Sequence, residues 1–152
     1  MPLVLAGGKG WLMDDFATEL DGLGIARQVV LTGYVSDEEL AWLYRNCYAN
    51  LYPSLFEGFG LPVLEGMQFG APTIVSNTSS LPEVAGDAAI LLDPLDIEAW
   101  AQAMLALAGN PFERERLAAA SHARARQFDR VASAKALLAL YEEAMATPRR
   151  AA

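Results

Sequence analysis

The sequence is poor in the residues that build disulfides, zinc sites and membrane spans. One cysteine, Cys47, and one histidine, His122, occur in 152 residues. A single cysteine excludes an intramolecular disulfide, and no Cys/His cluster has the spacing of a zinc site. No apolar run reaches the roughly 20 residues that cross a bilayer, and residues 1–10 lack the basic start of a signal peptide. We therefore expect a protein of a reducing compartment, the cytoplasm.

Basic residues are scarce in the first 110 positions. Only Lys9, Arg27 and Arg45 stand there against 14 acidic residues, and the whole chain has a formal net charge of −8. This acidity argues against nucleic acid as a partner. Residues 111–152 reverse the balance, with eight basic and five acidic residues. They predict a basic helical tail folded over an acidic body; contact of the tail with another domain or an anionic membrane surface is the alternative.

Several motifs of metal and phosphate chemistry are also missing. No Asp-x-Asp pair is present to clamp a metal-bound diphosphate, and GGKG is not a P-loop because no Ser or Thr follows Lys9. His122 lies in an arginine-rich helical pattern, which favours a surface residue over a catalyst. Packing is the expected role of the three tryptophans, which also lie in helical patterns. We therefore expect neither a metal nor a cofactor. The tryptophans are Trp11, Trp42 and Trp100.

Short apolar runs alternate with helical patterns along the chain. This alternation is typical of βαβ units, so we expect a Rossmann-like α/β fold with a parallel sheet and helices on both faces. Residues 1–146 are predicted to form one domain, with a disordered tail at 147–152. The last helical pattern places Val131, Ala134, Leu138, Tyr141 and Met145 on one stripe, which predicts a core-facing side; a partner-binding face is the alternative. The predicted strands are 3–6, 28–32, 48–52, 72–76 and 88–93, and the predicted helices are 11–23, 37–46, 62–69, 96–108, 111–128 and 129–146. Capping-box spacings at residues 36–39 and 80–83 predict the start of the helix at 37–46 and of a further short helix.

The most informative stretch is EGFGLPVLE, residues 57–65. Gly58 and Gly60 let the backbone approach a ligand closely, and Pro62 suits the first turn of a helix. The backbone amides of Gly60, Leu61 and that first turn point out of the positive end of the helix. The loop is therefore expected to hold a phosphate without a basic side chain.

Two carboxylates flank this loop. Glu65 lies one turn into the predicted helix, where an acid near the helix start is favoured by the dipole alone. Glu57 precedes the glycines, and an exposed loop acid would explain it equally well. A carboxylate can also accept hydrogen bonds from a pair of neighbouring hydroxyls. An anion-binding loop between two such acids predicts a site for a nucleoside diphosphate sugar.

The stretch PSLFEGFGLPVLEGMQFGAPTIVSNTSSLPEVAGDAAILLDP resembles the signature region of the retaining, GT-B-fold glycosyltransferases of group 1, family four. The hallmark of that family is Glu, seven residues, then Glu, and Glu57 and Glu65 fit this spacing. The resemblance extends to LVLAGGKGW and VVLTGYVSDEEL and covers residues 3–145. It implies that the chain is the C-terminal, donor-binding half of a GT-B fold.

The resemblance also implies a role for each matching residue. Glu57 is the expected catalytic residue, which contacts donor-sugar hydroxyls near the anomeric carbon, and Glu65 is expected to hold the ribose. The diphosphate and sugar would contact Gly58, Phe59, Gly60 and Leu61. The nucleobase would contact the backbone of Tyr34 and Val35. The donor cleft would be bordered by Gly7 and Gly8, with Lys9 as a candidate phosphate contact.

The family pattern has parts that this sequence does not match. In the family, an acceptor-binding domain, the first central strand of the donor domain and an Arg/Lys pair all precede the residues equivalent to LVLAGG. The resemblance thus implies transfer of a hexose, with GDP-mannose or a UDP-sugar as donor and a glycan, lipid or small molecule as acceptor. It also implies that this chain alone is inactive. The alternative is a non-catalytic nucleotide-binding or scaffold domain.

The unmatched strand leads to a structural hypothesis. It is central in the family's sheet, so its loss leaves unpaired edges on the strands predicted at 3–6 and 48–52. Unpaired backbone groups at a sheet edge destabilise the fold when they are buried, and they tend to pair with another chain when they are exposed. We therefore expect the two strands to pair directly or to be completed by another chain in an oligomer.

Overall fold

The computed structural model describes residues 1–8 and 15–146, and the chain divides into two compact units, Met1–Tyr44 and Arg45–Ala152. Lys9, Trp11 and the predicted disordered tail at 147–152 lie outside the described residues. Every strand pair in both units is parallel, and helices connect the strands. This arrangement confirms the α/β class expected from the alternating patterns.

The first unit contains a two-stranded parallel sheet. Strand β1 (Leu3–Ala6) pairs with β2 (Val29–Gly33). Helix α1 (Phe16–Gly22) and a 3-10 turn (Ala26–Gln28) precede β2, and α2 (Asp37–Asn46) follows it. The described side chains of both strands are largely exposed to solvent. The well-packed core of the protein therefore belongs to the second unit.

Helix α2 begins with the reciprocal cap that its sequence predicts. The Ser36 backbone N–H donates to Glu39 Oε2 at 2.8 Å, and the Glu39 N–H donates to Ser36 Oγ at 3.2 Å. Each bond satisfies an amide that the helix itself cannot. The hydrogen bonds from Ser36, its backbone N–H first and its hydroxyl second, hold the pKa of the Glu39 carboxyl below its ordinary value. Local side chains therefore determine where this helix begins.

The second unit is built on a three-stranded parallel sheet in the order β3-β4-β5. Helix α3 connects β3 to β4, and α4 with a 3-10 turn connects β4 to β5. Three further helices complete the unit. The bounds are β3 Asn50–Tyr52, α3 Leu61–Gln68, β4 Thr73–Ser76, α4 Leu81–Ala85, the 3-10 turn Gly86–Ala88, β5 Ala89–Leu92, α5 Ile97–Gly109, α6 Pro111–Ala125 and α7 Arg130–Ala146.

Strand β4 is buried on both faces. Val75 packs in one cluster with Met67 of α3, whereas its neighbour Ile74 packs in a second cluster with Trp100 and Leu107 of α5. Consecutive side chains of a strand point to opposite faces, so helices cover both faces of this sheet. Each large side chain fully buried in this way contributes about 1.5–3 kcal/mol. The central strand therefore gives the loops at its end a rigid base.

The strands form two separate sheets, β1-β2 and β3-β4-β5. Strand β1 pairs with β2 in the first unit, and β3 pairs with β4 in the second. Completion of the edges of β1 and β3, by direct pairing or by another chain, stays a prediction.

The expected core-facing stripe of α7 was wrong. No residue of α7 is buried; Val131, Leu138 and Tyr141 are each about 60% exposed, and Met145 is 79% exposed. Helical periodicity shows which residues share a face, but it does not show whether another element covers that face. Neither α7 nor another helix of the described residues combines the length and hydropathy needed to cross a bilayer.

Candidate functional site

Two loops of the second unit leave the same edge of its sheet. β3 and β4 are parallel, with Tyr52 aligned to Val75, so their carboxyl ends lie side by side. The first loop, residues 53–60, runs from β3 to α3, and the second, residues 77–80, runs from β4 to α4. Ligands of open α/β sheets bind at this edge. The loop after β3 carries Glu57 and the glycines, so the sequence-predicted donor loop lies in the expected place.

The Glu57 carboxylate is held by two hydroxyls. Tyr52 Oη donates to Glu57 Oε1 at 2.9 Å, and Ser54 Oγ donates to the same oxygen at 2.8 Å. Tyr52 is the last residue of β3, and Ser54 lies near the start of the loop that follows it. Among the described residues, Oε2 has no hydrogen-bond donor. Glu57 is therefore not the freely solvated loop acid that was the alternative to a binding role.

The loop after β4 fastens the backbone around Glu57. The Glu57 N–H donates to Ser79 Oγ at 3.0 Å, and Ser80 Oγ lies 3.0 Å from the Glu57 carbonyl and 2.9 Å from the Phe59 carbonyl. Thr78 Oγ1 donates to the Ser54 carbonyl at 3.3 Å. Ser79 has a φ of 51°, in the left-handed region that few non-glycine residues adopt. Such a conformation persists where its surroundings hold it in place.

Ser80 corrects one expectation about α4. The spacing of Ser80 and Glu83 matches a capping box, but the Ser80 side chain makes no capping hydrogen bond. Its hydroxyl proton is directed to the carbonyls of the Glu57 loop instead. A capping serine accepts from a helix N–H and has a non-helical backbone, whereas Ser80 has helical dihedrals, φ −79° and ψ −12°.

Loss of the Ser80 hydroxyl should loosen the donor loop more than it destabilises the fold. We expect Ser80→Ala to weaken nucleotide binding about three- to tenfold, and to lower the free energy of unfolding by about 1 kcal/mol, because one hydroxyl–carbonyl bond is lost. Titration calorimetry and thermal melts measure the two effects. Ser133→Ala removes a comparable bond, from Ser133 Oγ to the Asp129 carbonyl, and should leave binding unchanged. Equal binding losses in both variants would contradict a role for Ser80 at the loop.

The amides of the glycine loop lead into α3. Gly60 is the N-cap residue with φ 99°, and its carbonyl accepts from the N–H groups of Val63 and Leu64. In the part of the chain that the structure describes, the N–H groups of Gly58, Gly60 and Leu61 donate to no protein acceptor. Unsatisfied amides at a helix N-terminus favour an anion, because the helix dipole adds positive potential there. This geometry suits the phosphate-binding role expected of the loop.

Glu65 lies on the exposed side of α3. It follows Leu61 by four residues, so the two share one face of the helix, whereas Val63, Leu64 and Met67 face the core. The Glu65 side chain is exposed and makes no hydrogen bond with the described residues. An acid stabilised only by the helix dipole would lie in the first turn of α3, and Glu65 lies beyond that turn. A ligand-facing role for Glu65 remains a prediction.

The candidate residues of the first unit are brought together at the ends of β1 and β2. The Gly7 N–H donates to the Gly33 carbonyl at 2.9 Å, and Gly7 has φ 134°. A Cβ placed on Gly8 would lie 2.7 Å from Tyr34 Oη, so the tyrosine ring covers Gly8 closely. Tyr34 is 91% exposed, and Val35 is half-buried. The contacts of Gly7, Gly8, Tyr34 and Val35 with a nucleotide stay predictions, as does that of Lys9.

Arg124, a basic residue of the second unit, is engaged in the fold. Its Nε donates to the Val84 carbonyl at 3.0 Å, and a second guanidinium nitrogen donates to the Glu83 carbonyl. These carbonyls close the C-terminal end of α4, where a helix leaves acceptors unsatisfied. The guanidinium also lies over the Phe128 ring. The guanidinium of Arg124 is thus committed to the end of α4.

Sequence reasoning missed the hydroxyl groups that support Glu57. Tyr52, Ser54, Ser79 and Ser80 lie at or just after the carboxyl ends of β3 and β4, where side chains of parallel strands converge. The signal was present as the dense hydroxyl run SNTSS after the fourth predicted strand. Assigning these hydroxyls to Glu57 requires the register of β3 and β4, which cannot be read from the sequence.

Comparison with known proteins identifies the family. The model for "Glycosyl transferases group 1" matches residues 1–124, most of the chain. The protein belongs to the group 1 glycosyltransferases. The expected membership of group 1 is thereby confirmed.

Named relatives of this group 1 chain include mannosyltransferases. It is 42% identical over 128 residues to O-antigen chain mannosyltransferase B of Escherichia coli, covering 84% of this chain and 33% of the relative. It is 37% identical over 128 residues to the MMP alpha-(1->4)-mannosyltransferase of Mycolicibacterium hassiacum, covering 82% and 31%. The chain thus spans about a third of the length of these relatives.

Solved structures confirm a GT-B glycosyltransferase fold. Sucrose-phosphate synthase from Thermosynechococcus elongatus superimposes with a TM-score of 0.85 at 25% identity, over 95% of this chain and 38% of that one. HepE from Anabaena in complex with UDP gives 0.83 at 20% identity, over 94% and 41%. The C-terminal domain of a group 1 family protein, LpcC from Francisella tularensis, gives 0.71 at 23% identity, over 83% and 68%.

Proposed function

We propose that this chain is the donor-binding part of a retaining glycosyltransferase that transfers a hexose from a nucleoside diphosphate sugar. The observation that carries the proposal is the loop of residues 53–60. Among the described residues, the amides of Gly58, Gly60 and Leu61 have no protein acceptor, and Glu57, just before them in the sequence, has a carboxylate held by Tyr52 and Ser54. The amides match a diphosphate, and the carboxylate matches sugar hydroxyls.

The transfer would break the bond between the anomeric carbon and the diphosphate and form a bond to an acceptor hydroxyl. Negative charge develops on the departing diphosphate, and donors already aimed at that position stabilise it without reorganisation. The loop amides at the start of α3 are such donors. Glu57 would orient the sugar near its anomeric carbon, and Glu65 would hold the ribose. This scheme assigns the charge stabilisation to backbone groups and basic residues, and it needs no metal.

Mannose is our first choice of sugar, with GDP-mannose as donor. The relatives at 42% and 37% identity are named as mannosyltransferases. UDP-sugars are the second choice, because the HepE structure of similar fold holds UDP. The acceptor, a glycan, lipid or small molecule, would be bound by the remainder of a full-length enzyme. A non-catalytic nucleotide-binding role is the competing proposal for the chain by itself.

A calorimetric titration with GDP, UDP, GDP-mannose and UDP-glucose tests the proposal. We expect saturable binding with a dissociation constant between about 10 μM and 1 mM, the range of typical substrate affinities, and tighter binding of the sugar-bearing ligand than of its diphosphate. Binding of the diphosphate with no gain from the sugar would support the non-catalytic alternative. No heat of binding at millimolar nucleotide would contradict both.

A further inference from the structure

The Glu57 carboxylate uses its two oxygens unequally. Oε1 accepts from Tyr52 Oη at 2.9 Å and from Ser54 Oγ at 2.8 Å. A carboxylate offers about four acceptor positions, two on each oxygen, so these bonds fill the capacity of Oε1. Oε2 accepts from no donor among residues 1–8 and 15–146. Both of its acceptor positions therefore remain for a ligand.

Ser54 directs its single proton to this carboxylate. The Ser54 hydroxyl also lies 3.2 Å from the Phe56 carbonyl, but its contact with Glu57 Oε1 is shorter, at 2.8 Å. A hydroxyl proton bonds more strongly to an ionised acceptor than to a neutral one. The serine therefore serves as a donor to Glu57.

Tyr52 anchors the carboxylate to the core. Its ring packs against the buried cluster that contains Val75 and Met67, and its backbone is paired with β4. A tyrosine fixed at the ring has little freedom to move its hydroxyl. This donor to Oε1 thus stands on a strand, whereas the second donor, Ser54, lies in the loop after it.

The backbone of Glu57 is fixed as well. Its N–H donates to Ser79 Oγ at 3.0 Å, and its carbonyl lies 3.0 Å from Ser80 Oγ, whose one proton it shares with the Phe59 carbonyl at 2.9 Å. With the backbone and Oε1 both held, rotation about the side-chain bonds is restricted, so the direction of Oε2 is set before a ligand arrives. Preorganisation of this kind raises affinity by reducing the order that binding must impose.

We propose that Tyr52 and Ser54 are positioning residues that hold one oxygen of Glu57 and present the other to two neighbouring hydroxyls of the donor sugar. This inference rests on the proposed function. It assigns the recognition of the sugar to a single carboxylate oxygen, so a donor with two adjacent hydroxyls within reach of Oε2 would be preferred. Tyr52 and Ser54 touch no ligand themselves and act through Glu57.

The test measures the sugar increment, defined as the ratio of the dissociation constant of GDP to that of GDP-mannose. Tyr52→Phe removes the hydroxyl and keeps the ring in its packing. We expect the increment to fall about three- to tenfold, while the dissociation constant of GDP changes less than about twofold. Tyr48→Phe is the matched control; Tyr48 lies in the same unit with its ring against Arg114, and the increment should not change.

A double-mutant cycle separates positioning from general structural support. In a Glu57→Ala background, Tyr52→Phe should have no further effect on the increment, because the group it positions is absent. Ser54→Ala should reduce the increment as Tyr52→Phe does, and Ser54→Thr, which keeps a hydroxyl, should restore most of it. If Tyr52→Phe lowers the melting temperature too far for titration, the two Ser54 variants provide the test.

Two results would overturn the inference while leaving the proposed function standing. One is an equal loss of GDP and GDP-mannose affinity in Tyr52→Phe and Ser54→Ala. The other is a Tyr52→Phe effect that persists in full without Glu57. If the unaltered chain bound none of GDP, GDP-mannose, UDP and UDP-glucose, the proposed function would fail, and the positioning role would fail with it.

Discussion

Replacing Gly60 by alanine is expected to destabilise the second unit and to abolish measurable nucleotide binding. Gly60 has φ 99° at the start of α3, and a Cβ at this position would lie 2.7 Å from Leu81 Cδ2. Leu81 is fully buried, so it cannot move aside without disturbing the core. A strained backbone conformation costs about 1–3 kcal/mol, and the clash adds to it. We expect a fall in melting temperature of about 5–10 °C.

Gly58→Ala is the matched control in the same loop. A Cβ on Gly58 would meet nothing within 4 Å, and its φ lies outside the left-handed region. We expect its melting temperature to stay within about 2 °C of the unaltered chain. Thermal melts of both variants measure the difference. If the melting temperatures of the two variants fell by similar amounts, the conformation of Gly60 would not explain the loss, and the loop would tolerate no side chain for another reason.

The second large effect concerns Glu57 and Glu65, whose removal should separate two parts of the donor. We expect Glu65→Ala to weaken binding of the nucleoside diphosphate itself about tenfold or more. The Glu65 carboxylate would accept hydrogen bonds from two ribose hydroxyls, and each hydrogen bond to a charged group contributes about 1.5–3 kcal/mol. Glu57→Ala should leave the diphosphate within about twofold. It should remove the gain in affinity that the sugar provides, by tenfold or more.

Titration of GDP and GDP-mannose against both variants measures this split. Glu98→Ala is a suitable control, because it removes one negative charge from an exposed position in the first turn of α5. Any effect of net charge alone on phosphate binding would appear in all three variants. Equal losses for both ligands in both Glu57→Ala and Glu65→Ala would contradict the roles assigned to these residues.

Sequence patterns predicted the helix starts that neighbouring residues determine. The Ser36/Glu39 cap formed as its spacing required, and α2 spans the predicted residues. α3 begins beside the expected glycine and proline, at Leu61. Ser80 shows the limit of such patterns. Its spacing with Glu83 is the same kind of local signal, yet its hydroxyl bonds to a loop more than 20 residues away in sequence.

The stripe on α7 failed for a related reason. Its spacing is helical, and the helix formed, but no residue in it is buried. Burial depends on another element lying against the stripe, which is not a property of the stripe.

The sequence by itself determined the α/β class, the family, and the loop that carries Glu57, the glycines and Glu65. These follow from hydrophobic period, turn residues and motif spacing, which are properties of the sequence alone. Tertiary structure alone decided that Tyr52 and Ser54 hold one oxygen of Glu57 and that Ser79 and Ser80 fasten its backbone. Those contacts exist because two parallel strands end side by side, and their register depends on the packing of side chains from distant parts of the sequence.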